Sequence, residues 1–291
     1  MLQIAGINRL ALVAGLAAFM GSTLVAALRW SLILSALKTP RGIGLTYPLS
    51  LIGIFFGQAL PAGVGGDVVR GWLGCKSGLS MRASVSSILG DRLTGFLSIL
   101  LIVTAELGPI HDFVKSDALF GSLLFVLLAG YAGITIAMLL DRLPTGLRRF
   151  RVARGLAAVS GDLRSALFSS LGVPALVCGA IIQLANVVAV YALCEGLRLH
   201  AGFLDCLLIV PFANVLQTLP VSVAGWGVRE SFFVAAFGLL GVAPPAALAV
   251  SVLFGLLFLL SSLPGGALWL LQGGGLPLKA REVVEPVVSS E

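Results

Sequence analysis

Three clusters of charge and glycine lie in this apolar chain, and each has residue types suited to holding an anion. The first is Gly65-Gly66-Asp67-Val68-Val69-Arg70. Glycines here expose backbone N–H groups, and a helix is predicted to begin near Gly66–Asp67 with Asp67 as its N-cap. A helix start binds anions through its free N–H groups, and a guanidinium matches phosphate geometry. The same residues also fit a tight turn in which Asp67 caps and Arg70 snorkels to the interface.

The second cluster is Gly225-Trp226-Gly227-Val228-Arg229-Glu230. Adjacent residues do not share a helix face, so Arg229 and Glu230 are expected to have different partners, with Arg70 or Arg92 suggested for Glu230. Trp226 reads either as an interface anchor or as a gate. The third cluster is Asp91-Arg92, in an apolar stretch that begins at Ala83. A helical rise puts this pair roughly 12 Å into a membrane. Ionised groups at that depth cost about 2.5–3.5 kcal/mol each on insertion scales, so partners elsewhere are implied. Both a headgroup path and a buried structural ion pair fit.

The first two clusters end copies of one pattern, Gln-x-Leu-Pro-x-x-Val-x-Gly-x-x-Val-Arg. One copy carries Gln58, Leu60, Pro61, Val64, Gly66, Val69 and Arg70; the other carries Gln217, Leu219, Pro220, Val223, Gly225, Val228 and Arg229. Gly- and Pro-broken apolar segments at matching places in two halves are the sequence pointer to a transporter-like site. Further polar residues at helical spacing, Gln183 with Asn186 and Asn214 with Gln217, either line a polar path with Gln58 or bond between helices.

The elements that must position these residues are membrane helices. The chain is 58% hydrophobic and 11% charged, where a soluble domain carries about 25% charged residues. Apolar runs at Leu10–Leu28, Ala83–Ala105, Ala118–Leu140, Val173–Leu193 and Ala246–Leu271 suit a hydrocarbon core of about 30 Å. The first exceeds a signal-peptide core and has Arg29-Trp30 where cleavage would fall, so it reads as a retained helix.

Six arginines crowd Asp141–Arg164, among them Arg148, Arg149, Arg151 and Arg154, whereas Glu106–Asp117 holds three acids against Lys115. The positive-inside rule puts the first segment in the cytoplasm and the second outside. Attraction to anionic lipid headgroups accounts for the basic segment without nucleic acid. Threading the remaining segments makes Tyr47–Leu60 and Cys206–Leu219 too short to span, so each is predicted to be re-entrant.

The expected fold is therefore an all-α polytopic helical bundle of two pseudo-symmetric, inverted halves, each with a re-entrant hairpin. Residues 1–272 form one transmembrane domain, with a first repeat over about 10–105, a connecting helix over 118–140, a basic cytoplasmic loop over 141–170 and a second repeat over about 171–271. Residues 273–291 read as a disordered cytoplasmic tail.

Catalytic groups are not evident. His111 and His200 stand alone, and no His, Asp or Glu accompanies them at metal-ligand spacing. Of the four cysteines, Cys178, Cys194 and Cys206 lie in or beside apolar helices, and with Cys75 they make no Cys-x-x-Cys pair, which suits small apolar packing residues. No nucleophile has a base and orienter near it. A Gly-x-x-x-x-Gly-Lys-Ser/Thr loop is missing too, so transport would be passive, ion-coupled or drawn by downstream consumption. No metal, cofactor or enzymatic activity is expected.

Together, Gly65–Arg70, Asp91-Arg92, Ala224–Glu230 and the upstream Arg29-Trp30 resemble one family, from about Leu10 to Leu271. It is the flippase-like transmembrane region of lysylphosphatidylglycerol synthases, which also occurs as stand-alone membrane proteins. The resemblance implies a helical bundle in the bacterial inner membrane that moves phospholipid or lipid-linked substrates between leaflets. Family members commonly carry a further helix before the one that ends at the Arg-Trp pair, and a soluble aminoacyl-transfer domain. Neither is expected here, so lysine transfer is not carried over.

On this reading Gly65, Gly66, Asp67 and Arg70 hold a lipid phosphate. Gly225, Gly227, Arg229 and Glu230 form the counterpart, and Asp91 and Arg92 give the headgroup a polar path. The partners are anionic membrane phospholipids. The rival expectation is a non-transporting membrane subunit that anchors or regulates a lipid-modifying or glycosyl-transfer enzyme.

Overall fold

Apolar composition with few β-branched alternations favours helices, because within a bilayer a helix satisfies its own backbone groups. The computed structural model describes residues 7–59, 65–113, 116–142, 150–217 and 227–273, and its regular elements there are all helical. In chain order they are α1 (Arg9–Ala36), α2 (Ile43–Ala59), α3 (Gly65–Lys76), α4 (Met81–Ala105), α5 (Leu107–Phe113), α6 (Asp117–Leu139), α7 (Arg151–Leu167), α8 (Gly172–Gly196), α9 (Phe203–Gln217), α10 (Val228–Leu239) and α11 (Pro244–Leu271). A 3-10 turn, Leu140–Arg142, extends α6.

Among the described residues, five helices are long and apolar enough to cross a membrane: α1, α4, α6 with its extension, α8 and α11. They match the five apolar runs of the sequence, but α1 continues to Ala36 and so carries Arg29-Trp30 inside the helix. Between them stand two pairs of short helices, α2 with α3 and α9 with α10, in which α2 contains Pro48 and α9 contains Pro211. The basic segment over 141–170 is not an open loop. Most of it is α7, which buries Ser160, Leu163 and Ala166 at helical spacing. The tail over 274–291, Arg148 and Arg149 lie outside the described residues.

Two compact units share these helices, with cuts at Leu28/Arg29 and Ala180/Ile181 inside α1 and α8. The first unit takes the start of α1, then α2, α3, the end of α8, and α9 to α11. Its core gathers Phe19, Val190, Leu193, Ile209, Phe233, Phe237, Val250 and Phe254. Phe19 meets Phe254 edge-on at 5.0 Å, an arrangement that adds to the burial of both rings.

Within this unit α2 and α3 touch through backbone. Gly53 and Gly57 of α2 face Gly66 of α3, and a Cβ on Gly66 would collide with the Gly53 carbonyl oxygen, closer than side chains come. Small residues at four-residue spacing permit such approach between membrane helices. On the other flank of α2, Trp269 of α11 packs against Phe56 at 5.2 Å.

The second unit takes the end of α1, α4 to α7 and the start of α8. Here α7 is pinned by ion pairs. Arg82 of α4 holds Asp162 through Nη2 at 2.8 Å, and Ser86 Oγ donates to the same carboxylate at 2.7 Å. Arg164 binds Asp141 with both terminal nitrogens, Nη1 at 2.8 Å. A bidentate guanidinium–carboxylate pair fixes orientation as well as distance.

The Gly66 contact yields the first prediction. Gly66→Leu should destabilise the protein by about 1–3 kcal/mol, the usual cost of overpacking. Gly133→Ala in α6, where nothing lies within 4 Å of the added carbon, should leave thermal unfolding in detergent unchanged or slightly raised.

Candidate functional site

Arg70 is built into the α2–α3 contact. Its Cβ and Cδ lie against Gly53, at 3.4 and 3.6 Å from where a Gly53 side chain would begin, so the stem fills space the glycine leaves. The residue is only 7% exposed. Its Nη2 donates to Asp67 Oδ1 at 3.3 Å, one turn earlier on α3. The helix starts at Gly65, so Asp67 sits in the first turn and is not the N-cap. There its carboxylate complements both the helix dipole and Arg70. Leu60–Val64, the turn before α3, lie outside the described residues.

Arg229 and Glu230 form a closed cluster at the start of α10. Gly227, at φ 90°, supplies the left-handed backbone that turns the chain into the helix. Glu230 Oε2 accepts the Gly227 N–H, which is one half of a capping box. Its Oε1 accepts Arg229 Nη2 at 2.7 Å, and Arg229 Nε donates to Ser251 Oγ of α11 at 3.2 Å.

The expectation of separate partners for these neighbours is thus corrected. At a helix start the third side chain curls back to the cap, and this brings Glu230 across to Arg229. Arg229 is 2% exposed, with its guanidinium carbon 5.6 Å from the Phe254 ring centre. Gly225 and Trp226 lie outside the described residues, as do Leu219, Pro220 and Val223.

Of the polar-path residues, the structure joins two. Asn214 Nδ2 donates to Gln183 Oε1 at 2.7 Å, tying α9 to α8. Gln58 and Asn186 are half-buried, and the Gln217 side chain is outside the described residues.

In the second unit the partner of Asp91 is Arg29. The Nε–Oδ1 distance is 2.7 Å, with the two side chains 12% and 6% exposed. Beside it, Trp30 Nε1 donates to the buried Ser87 Oγ at 3.1 Å. Arg92 is exposed, on a different face of α4 from Asp91. Sequence reasoning did not pair Arg29 with Asp91, because an apolar run bounded by its first charge stops at Leu28. The signal was there: Trp30, Leu32, Ile33 and Leu34 continue the apolar run beyond the arginine.

Glu106, which follows α4, was likewise read only as a loop acid. It is 8% exposed, and its Oε2 is buried with no hydrogen-bond partner among the described residues. Burial pushes its carboxyl up to about 7, since a low-polarity surrounding disfavours the ionised form. Among the described residues no three His, Cys, Asp or Glu side chains gather as a metal site requires.

Comparison with known proteins gives one family: that described as the lysylphosphatidylglycerol synthase TM region matches residues 3–265. No curated protein and no solved structure matches the chain.

Two predictions come from these buried charged groups. Asp91→Asn and Arg29→Gln should each cost about 3–5 kcal/mol, as when one member of a buried pair is removed. The double variant should cost less than the sum of the two, as a double-mutant cycle of thermal unfolding would read.

For Glu106, the folded carboxyl holds its proton to about 7 against an ordinary value of 4.5. The folded state therefore binds more protons across that window, and stability should fall as pH rises through it. Glu106→Gln should flatten this dependence, which unfolding midpoints taken from pH 4 to 8 would show.

Proposed function

This chain belongs to the lysylphosphatidylglycerol synthase transmembrane-region family, and we propose that it binds an anionic lipid headgroup and passes it between membrane leaflets. The observation that carries this reading is the burial of arginines, each beside a carboxylate, in an apolar chain with five helices able to span a membrane. Ionisable groups kept within membrane segments are costly, and such residues line substrate and ion pathways.

In this reading α2–α3 and α9–α10 are re-entrant hairpins, entering from opposite faces, and they carry the two copies of the repeated pattern. The amide-rich start of α3 and Arg70 hold the phosphate. Arg229, set by Glu230 and Ser251, is the counterpart at the start of α10. Because Asp67 and Glu230 already neutralise these arginines, a headgroup exchanges one anionic partner for another and is not trapped by unopposed charge. Asp91 and Arg92 offer polar contact along α4.

The host membrane is a bacterial plasma membrane, the lipids are the chain's partners, and no reaction is catalysed. The family takes its name from a synthase, whose lipid chemistry would supply or consume such a headgroup.

The test is leaflet exchange of a headgroup-labelled phosphatidylglycerol in liposomes containing the purified chain. Wild type should accelerate exchange. A folded Arg70→Ala variant should lose about tenfold or more, the worth of one charge-assisted hydrogen bond. Absence of exchange by folded wild type across several anionic lipids would overturn the transport reading and leave a membrane subunit that anchors or regulates a lipid-modifying enzyme.

A further inference from the structure

A cleft of about 640 Å³ opens in the second unit, where α7 meets the start of α4 and the end of α6. Its charged lining is Arg82 of α4, Asp141 in the turn that extends α6, and Arg154 and Asp162 of α7. Arg154, Ala158 and Asp162 recur every four residues, so they share one face of α7. Small residues on that face leave the space open. A Cβ on Gly161, which also lines the cleft, would meet nothing within 4 Å.

The hydrogen bonds already made decide what the cleft offers a ligand. Asp162 accepts Arg82 Nε at 3.0 Å, Arg82 Nη2 at 2.8 Å and Ser86 Oγ at 2.7 Å. Both oxygens of Asp141 accept the terminal nitrogens of Arg164. Each carboxylate is thus engaged by one arginine. Arg154 differs: it is exposed, and its side chain has no hydrogen bond or ion pair among the described residues. Arg82 Nη1 has none there either. What remains is N–H donors and one positive charge with no carboxylate against it, which suits an anion and not an amine.

The position of the cleft says which anion. Both α4 and α6 are able to span a membrane, and Arg82 and Asp141 lie at an end of each. Span ends fall at the level of lipid headgroups. Phe150, Leu156 and Phe168 are exposed on or beside α7, as on basic helices that lie in a membrane interface. A soluble anion has no use for these apolar side chains, whereas a lipid covers them with its acyl chains.

We propose that this cleft binds the phosphoryl group of an anionic membrane lipid, with Arg154 as the principal contact and Arg82, held by Asp162, as the second. Phosphate suits it because tetrahedral oxygens let guanidinium groups from two helices each take their own partner. The site goes beyond transport. It lies in the second unit, whereas Arg70 and Arg229 belong to the first, and it needs no leaflet exchange. Diffuse attraction of basic side chains to a membrane depends on charge alone, but a cleft depends on shape as well.

The experiment titrates the full-length chain in uncharged detergent with short-chain phosphatidylglycerol, matched diacylglycerol and inorganic phosphate, reading the thermal unfolding midpoint. Phosphatidylglycerol should raise the midpoint and diacylglycerol should not. Any binding at Arg70 is common to wild type and variants, so the difference between them reports the cleft. That part of the rise should need about tenfold more lipid in Arg154→Gln, the worth of one charge-assisted hydrogen bond. The lipid-free midpoint should not fall, since Arg154 has no partner to lose. Gly161→Leu, which keeps every arginine and fills the cleft, should weaken binding equally. Arg142→Gln removes the same charge from the α6 extension, outside the cleft, and should change the affinity by less than about twofold.

Equal responses from wild type, Arg154→Gln and Gly161→Leu overturn the site, as does no response to phosphatidylglycerol. A loss in Arg142→Gln as large as in Arg154→Gln replaces it with diffuse attraction. An inorganic phosphate response as strong as the lipid's overturns the lipid as occupant. Leaflet exchange on the same preparations separates this site from the transport reading: Arg154-dependent binding without wild-type exchange removes transport alone, and exchange without Arg154-dependent binding removes the cleft alone.

Discussion

A guanidinium does not lose its charge in a protein, so an arginine placed in an apolar helix bundle dictates what surrounds it. In this chain that constraint acts at Arg29, Arg70 and Arg229, and each has a carboxylate within hydrogen-bonding reach. The solutions differ. Arg70 and Arg229 find acids on their own helices, while Arg29 reaches an acid sixty-two residues away in sequence. Buried pairs of this kind are weak contributors to net stability, because desolvation offsets attraction.

Glycine does the complementary work. Gly66 brings α3 onto the backbone of α2, and this places Arg70 over Gly53, where its stem is covered and its head meets Asp67. Without a side chain at Gly53 the arginine stem has a bed; without one at Gly66 the helices meet. The charge site and the packing contact are thus one structure, so a change in either disturbs both.

Much of this was legible beforehand, for identifiable reasons. The long helices follow from length and hydropathy, since a membrane crossing requires about 20 apolar residues. The arginines of the repeated pattern stood out because charge is rare in such company. Partners were harder. Glu230 was misassigned because helix-face geometry does not govern a first turn, where side chains fold back to the cap.

Arg29 was passed over because a charge looks like the end of an apolar run, although α1 continues beyond it to Ala36. The segment of α7 read as a loop because its arginines drew attention from Ser160, Leu163 and Ala166, which are spaced for one helix face. Glu106 carries no sequence signal at all: its burial depends on how α4 ends against its neighbours.

The difference between local and distant pairing has a mechanical consequence. Arg70 with Asp67, and Arg229 with Glu230, are carried on single helices, so α3 and α10 can shift with these ion pairs intact. Arg29 with Asp91 joins the end of α1 to α4, and separating those helices would break a buried pair at a cost of about 3–5 kcal/mol. Any rearrangement of these helices is therefore cheapest where the charges are locally paired. The α1–α4 contact, tied by a buried pair, would hold still.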